Sequence, residues 1–139
     1  MARKPATLLE FVTGKWDTVV RDNVAAASLR SPVELWNLKI AGYFDLQRFA
    51  PRICIIRYES VLCDIDATFD QLDAFLRVKG TRKLIENATK NMDRLKFADY
   101  VARYADYDPM ELGRDVVAAI NEYLDRDIVR RAGYSWCKV

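Results

Sequence analysis

Histidine is absent from all 139 residues, and this removes more chemistry than any motif in the chain supplies. Without an imidazole there is no Ser-His-Asp triad, no histidine general base and no histidine metal ligand. The three cysteines, Cys54, Cys63 and Cys137, are odd in number and lack metal-ligand spacing, so no metal is expected. Cys54 lies in the apolar run Ile53-Cys54-Ile55-Ile56, which predicts a buried, inert thiol. No two carboxylates have a spacing that suggests acid/base work, and no catalytic residue is assigned. The remaining chemistry rests on aromatic and polar side chains at the ends of apolar segments. Tyr58 follows the apolar run, flanked by Arg57 and Glu59, whose simplest role is an ion pair or cap that fixes the loop. Phe97, Tyr100, Tyr104 and Tyr107 can wall an acceptor pocket or cover a neighbouring helix. Lys79, Arg82, Lys83 and Lys90 give a basic helix start, which by default is a solvated face.

The elements that must position these residues are mostly helical. At 51% hydrophobic and 30% charged, with five glycines and four prolines, the composition is globular, and the length suits one domain over 1–139. Twenty-two basic residues against twenty acidic ones leave a net charge of +2 with the signs interleaved, which is no footprint for nucleic acid. No apolar run reaches the length of a membrane span, and no signal peptide is recognised. With its cysteine usage this predicts a reduced, cytoplasmic protein.

Thr7-Leu8-Leu9-Glu10-Phe11-Val12 reads as a short amphipathic helix ended by Gly14, and 15–30 as irregular chain. Ser31-Pro32-Val33-Glu34 is a helix start in which Ser31 caps, Pro32 takes the first helical position and Glu34 completes a capping box. Trp36, Ile40, Tyr43 and Phe44, extended to Phe49, form its apolar stripe before Pro51 stops it. The run over 53–57 is apolar on both faces, which predicts a buried parallel strand. Asp66 is expected to cap a helix carrying Phe69, Leu72, Phe75 and Leu76, closed by Gly80. A further helix follows Thr81, with Leu84, Ile85, Ala88, Met92 and Leu95 on one face. Asp108-Pro109-Met110-Glu111 opens a helix with Val116, Val117, Ile120 and Leu124, and a short piece ends at Gly133. The expected class is mainly α with one or two short β-strands.

Four segments, in order, carry a resemblance. Pro32-Val33-Glu34-Leu35-Trp36-Asn37 looks like the P-V-E-L-W-N segment of bacterial sulfotransferases. Arg57-Tyr58-Glu59-Ser60-Val61-Leu62 resembles the R-Y-E-D-L-L signature of the same family. Asp64-Ile65-Asp66-Ala67-Thr68, then Phe75-Leu76-Arg77-Val78, occupy the places of its acidic stretch and F-L-G helix end. Ile120-Asn121-Glu122-Tyr123-Leu124 and Gly133-Tyr134 are similar to its closing helix.

The resemblance implies the C-terminal portion of a P-loop-like α/β sulfotransferase fold. It also implies transfer of a sulfuryl group from 3′-phosphoadenosine 5′-phosphosulfate (PAPS) to a hydroxyl or amine, on a small-molecule or glycan acceptor. Tyr58, Asn91 and Met92 are the implied cofactor-binding residues, beside the adenine; Asn91 and Met92 replace the hydroxyl and phenyl usual there. The family's glycine-rich phosphosulfate loop and catalytic base have no counterpart here. Arg21 with Ser28, or Arg30 with Ser31, have the residue types of its 3′-phosphate site, but neither pair follows an apolar strand. The chain alone is therefore expected to be inactive. The alternative is a non-catalytic helical interaction module, and an unpaired strand at 53–57 would favour a homo-oligomer through its edge.

Overall fold

The structure is a computed structural model that describes residues 4–50, 52–81, 98–99, 101–102 and 108–139. It is mainly helical, with one two-stranded antiparallel sheet among the described residues. The chain divides into two compact units, one of Met1–Pro51 with Pro109–Val139 and one of Arg52–Asp108.

The first unit opens with α1 (Leu8–Thr13), where Thr7 caps the N-terminus by accepting from Glu10 N at 3.1 Å, and Gly14 ends the helix. Strands β1 (Trp16–Asp17) and β2 (Ser28–Leu29) then pair with Trp16 opposite Leu29 and Asp17 opposite Ser28. The irregular chain expected over 15–30 is thus corrected to a short hairpin. Too few residues pair for a period to show in the sequence. A 3-10 turn, Val20–Asp22, lies in its loop.

Helix α2 (Pro32–Phe49) begins as its start signal dictates, with Ser31 as cap and Pro32 in the first turn. Glu34 reaches one residue further back than a capping box requires, accepting from Arg30 N at 2.9 Å and pairing with its guanidinium. Near the chain's end come a 3-10 turn (Pro109–Leu112), α5 (Arg114–Tyr123) and α6 (Arg126–Arg131). Gly133, at φ 77°, closes α6: its N–H reaches Arg130 O and the Tyr134 N–H reaches Val129 O, the paired bonds of a Schellman end.

The core of this unit joins Val12 of α1 to Val116 and Ala119 of α5, with Val33, Leu112 and Ile120 packed against it. Burying each larger aliphatic side chain contributes about 1.5–3 kcal/mol. Ser31, fully buried, ties α1 to α2 by donating to Val12 O. Asn37 of α2 donates to Tyr123 O at 2.7 Å and accepts from Asp125 N at 3.1 Å, fixing the turn between α5 and α6. None of the eighteen residues of α2 is itself buried.

The second unit contains α3 (Tyr58–Cys63) and α4 (Ile65–Leu76), which pack on one another. The strand expected at 53–57 is not formed: that stretch carries neither helix nor strand. Among the described residues no strand pairs with it, and without a ladder an apolar run is not a strand. Ile53, Cys54 and Ile56 are half-buried and Ile55 is exposed, so the expected burial on both faces also fails. Helix α4 starts two residues earlier than expected. Asp64, rather than Asp66, is the cap, accepting from Ala67 N at 2.9 Å. It also ends earlier, at Arg77 in the left-handed region (φ 57°) rather than at Gly80.

Candidate functional site

Tyr58 is the first residue of α3, at a step from irregular chain into helix. Arg57 before it holds an extended backbone (φ -80°, ψ 141°), and its carbonyl accepts from Ser60 N and Val61 N to close the first turn. Leu62, one turn further on, is 4% exposed and anchors the short helix, while Tyr58 is 55% exposed. The sequence expectation of a strand end is corrected to a helix start, which still leaves the tyrosine ring accessible. Cys54 is half-buried, and its Sγ lies 3.6 Å from Gln71 Nε2 of α4. Sequence reasoning missed this link, because Gln71 carries no periodic or motif signal.

Asn91 and Met92 lie outside the described residues, as do Arg82, Lys83, Lys90, Phe97, Tyr100, Tyr104 and Tyr107. Of the basic helix start only Lys79 is described, and it is exposed.

A phosphosulfate needs several backbone N–H groups converging at a helix start, with a cation beside them. The described residues do not fit it. Gly14 ends α1, Gly42 is inside α2, the Gly80 N–H points to Asp73 Oδ1, and Gly133 closes α6. Gly113 does precede a helix, but Asp115 lies in the first turn of α5 and Glu111 just before it, which opposes an anion. Of the two arginine–serine pairs, one is engaged elsewhere. Ser31 is consumed by Val12 O and Val33 N, and Arg30 by Glu34 and the face of Tyr123. Arg21 sits in the 3-10 turn and Ser28 in β2, both exposed.

Among the described residues the carboxylate with a resolved shift is elsewhere. Asp22, 6% exposed, accepts from Val19 N at 3.0 Å and Trp16 Nε1 at 3.2 Å. The Val19 N–H chiefly, with help from Trp16, Lys39 and Arg21, holds its carboxyl below the ordinary value, against the opposing cost of burial. This arrangement fastens the hairpin loop. The adjoining cleft of about 520 Å³ is lined by Phe11, Trp16, Lys4, Lys15, Glu10 and Asp17, whose charges balance. Among the described residues no group of three metal-ligating side chains assembles, and no helix is long and apolar enough to cross a membrane.

No family model matches the chain, and no curated protein or solved structure matches it either.

Proposed function

We propose that this chain is a sulfotransferase-like polypeptide that walls the adenine side of a PAPS-type nucleotide. In this reading Tyr58 is its contact and Asn91 and Met92 its further candidates, and the chain has no turnover of its own. The acceptor would be a hydroxyl or amine on a small molecule or glycan. The observation that carries the reading is the Arg57-Tyr58-Glu59 step: an accessible tyrosine ring at a helix start, behind an apolar run and ahead of an Asp64-capped helix. It is supported by the Ser31-capped α2 and the Gly133-Tyr134 closure of α6, which follow the family's order. The described residues offer no cradle for the phosphosulfate.

The test is a titration of the chain with adenosine 3′,5′-bisphosphate followed by amide NMR. Shifts centred on 57–61 are expected, and their absence refutes the reading. Incubation with PAPS and a panel of phenols, sugars and amines should give no sulfated product; turnover would overturn the claim of inactivity. A second reading, a non-catalytic helical module acting through protein contacts, is favoured by the exposed apolar residues of α2.

A further inference from the structure

Helix α2 is apolar on two sides. Toward its neighbours, Val33 packs on the core of Val12, Val116 and Ala119, Trp36 meets Tyr134 edge-on at 6.0 Å, and Phe44 lies 4.4 Å beneath the Arg131 guanidinium. On the other side, Leu35, Leu38, Gly42, Leu46 and Phe49 fall within an arc of about 80° at helical spacing. Leu38 is 44% exposed, Leu46 48% and Phe49 84%. With its first apolar face already packed, this second, outer stripe calls for a covering surface.

The stripe reads the same from both ends. Leu38 and Leu46 stand four residues either side of Gly42, and Leu35 and Phe49 stand seven. Apart from its own helix backbone and chain neighbours, nothing lies within 4 Å of where a Gly42 Cβ would be, so the middle of the stripe is an open notch where another backbone can approach. An antiparallel copy crossing at Gly42 brings Leu38 level with Leu46 of the partner subunit and Leu35 level with Phe49 of the partner subunit. Glu34 and Arg48 on the flank are already paired within the chain, with Arg30 and Asp45, so the match between copies rests on the apolar stripe.

We propose that the outer face of α2 is a dimer seam on which a second copy of this chain docks antiparallel about Gly42. Each copy then offers the same patch, which is the requirement of a two-fold interface. One helix of eighteen residues, about 27 Å long, makes a small interface, so the dimer is weak and concentration-dependent. The inference rests on the geometry of α2 and is independent of the nucleotide reading.

Sedimentation velocity of the full chain, from low micromolar to near-millimolar concentration, tests it. Wild type should pass from monomer to dimer. Leu46→Glu should weaken the dimer about tenfold or more with unchanged circular dichroism, since the site is exposed. The double variant Leu38→Lys, Leu46→Glu should restore it, because an antiparallel seam sets opposite charges across both contacts. A chain that stays monomeric throughout, or a dimer indifferent to Leu46→Glu, overturns the proposal. A double variant no better than Leu46→Glu overturns the antiparallel register. As a check independent of charge, Gly42→Cys in a chain whose native cysteines are replaced by serine should cross-link on oxidation. Failure to do so at dimer-forming concentration also overturns the register.

Discussion

Replacing Ser31 by alanine removes a single hydroxyl that does two jobs. It accepts from Val33 N at 3.1 Å as the cap of α2 and donates to Val12 O at 2.5 Å, while the residue is 0% exposed. Losing a serine cap costs about 0.5–2 kcal/mol. Stranding the Val12 carbonyl, in a residue only 5% exposed, costs about 1–3 kcal/mol. The two losses share one oxygen and overlap, so the expected destabilisation is about 2–3 kcal/mol. For a unit of this size that lowers Tm by about 10–20 °C. All three tryptophans, Trp16, Trp36 and Trp136, belong to the first unit, so urea unfolding followed by their fluorescence reports this unit selectively. Ser31→Gly separates the terms: glycine caps almost as well as serine but still strands Val12, so it should recover about 1 kcal/mol relative to alanine. An alanine variant within about 0.5 kcal/mol of wild type would refute the reasoning.

Two further predictions concern the same unit. The Asp22 carboxyl titrates below its ordinary value of 3.8 in the folded state, so its contribution is complete above that value and lost as pH falls through the folded one. Asp22→Asn should therefore flatten the acid limb of stability below pH 3.8, read by tryptophan fluorescence, and an acid limb as steep as wild type would contradict the assignment. Asn37→Asp keeps the acceptor for Asp125 N but turns a carboxylate toward Tyr123 O, and should cost about 1–3 kcal/mol in the same urea assay. Wild-type stability would show that this clamp does not hold the turn between α5 and α6.

The parts of the fold legible in the sequence are those written in short-range chemistry. Gly14, Ser31-Pro32 and Gly133 mark helix ends because capping and left-handed closure depend on residues a few positions apart. Periodicity located Val116, Val117 and Ile120 on the inner face of α5, where the first two are buried and Ile120 packs on the core. Phe49 was misplaced because α2 has two apolar faces, and periodicity alone could not assign it to the exposed one. The hairpin at Trp16 and Leu29 was hidden because each strand is two residues long and is held by loop contacts such as Thr18 N to Ala27 O. The run at 53–57 failed as a strand because apolar composition says nothing about the presence of a ladder partner. At the candidate site, Tyr58 was legible as the residue ending an apolar run, but its helical setting was not, since Arg57 provides no side-chain cap to announce it.

The central claim is that Tyr58 meets the adenine side of a nucleotide, and Tyr58→Phe tests it most directly. The variant keeps the ring and removes only the hydroxyl at a side chain 55% exposed, so folding should change by less than about 0.5 kcal/mol. A net hydrogen bond of about 0.5–1.5 kcal/mol predicts a two- to tenfold loss of affinity for adenosine 3′,5′-bisphosphate, measured by NMR titration of wild type and variant side by side. Unchanged affinity accompanied by a lowered Tm would make Tyr58 a packing residue and contradict the account.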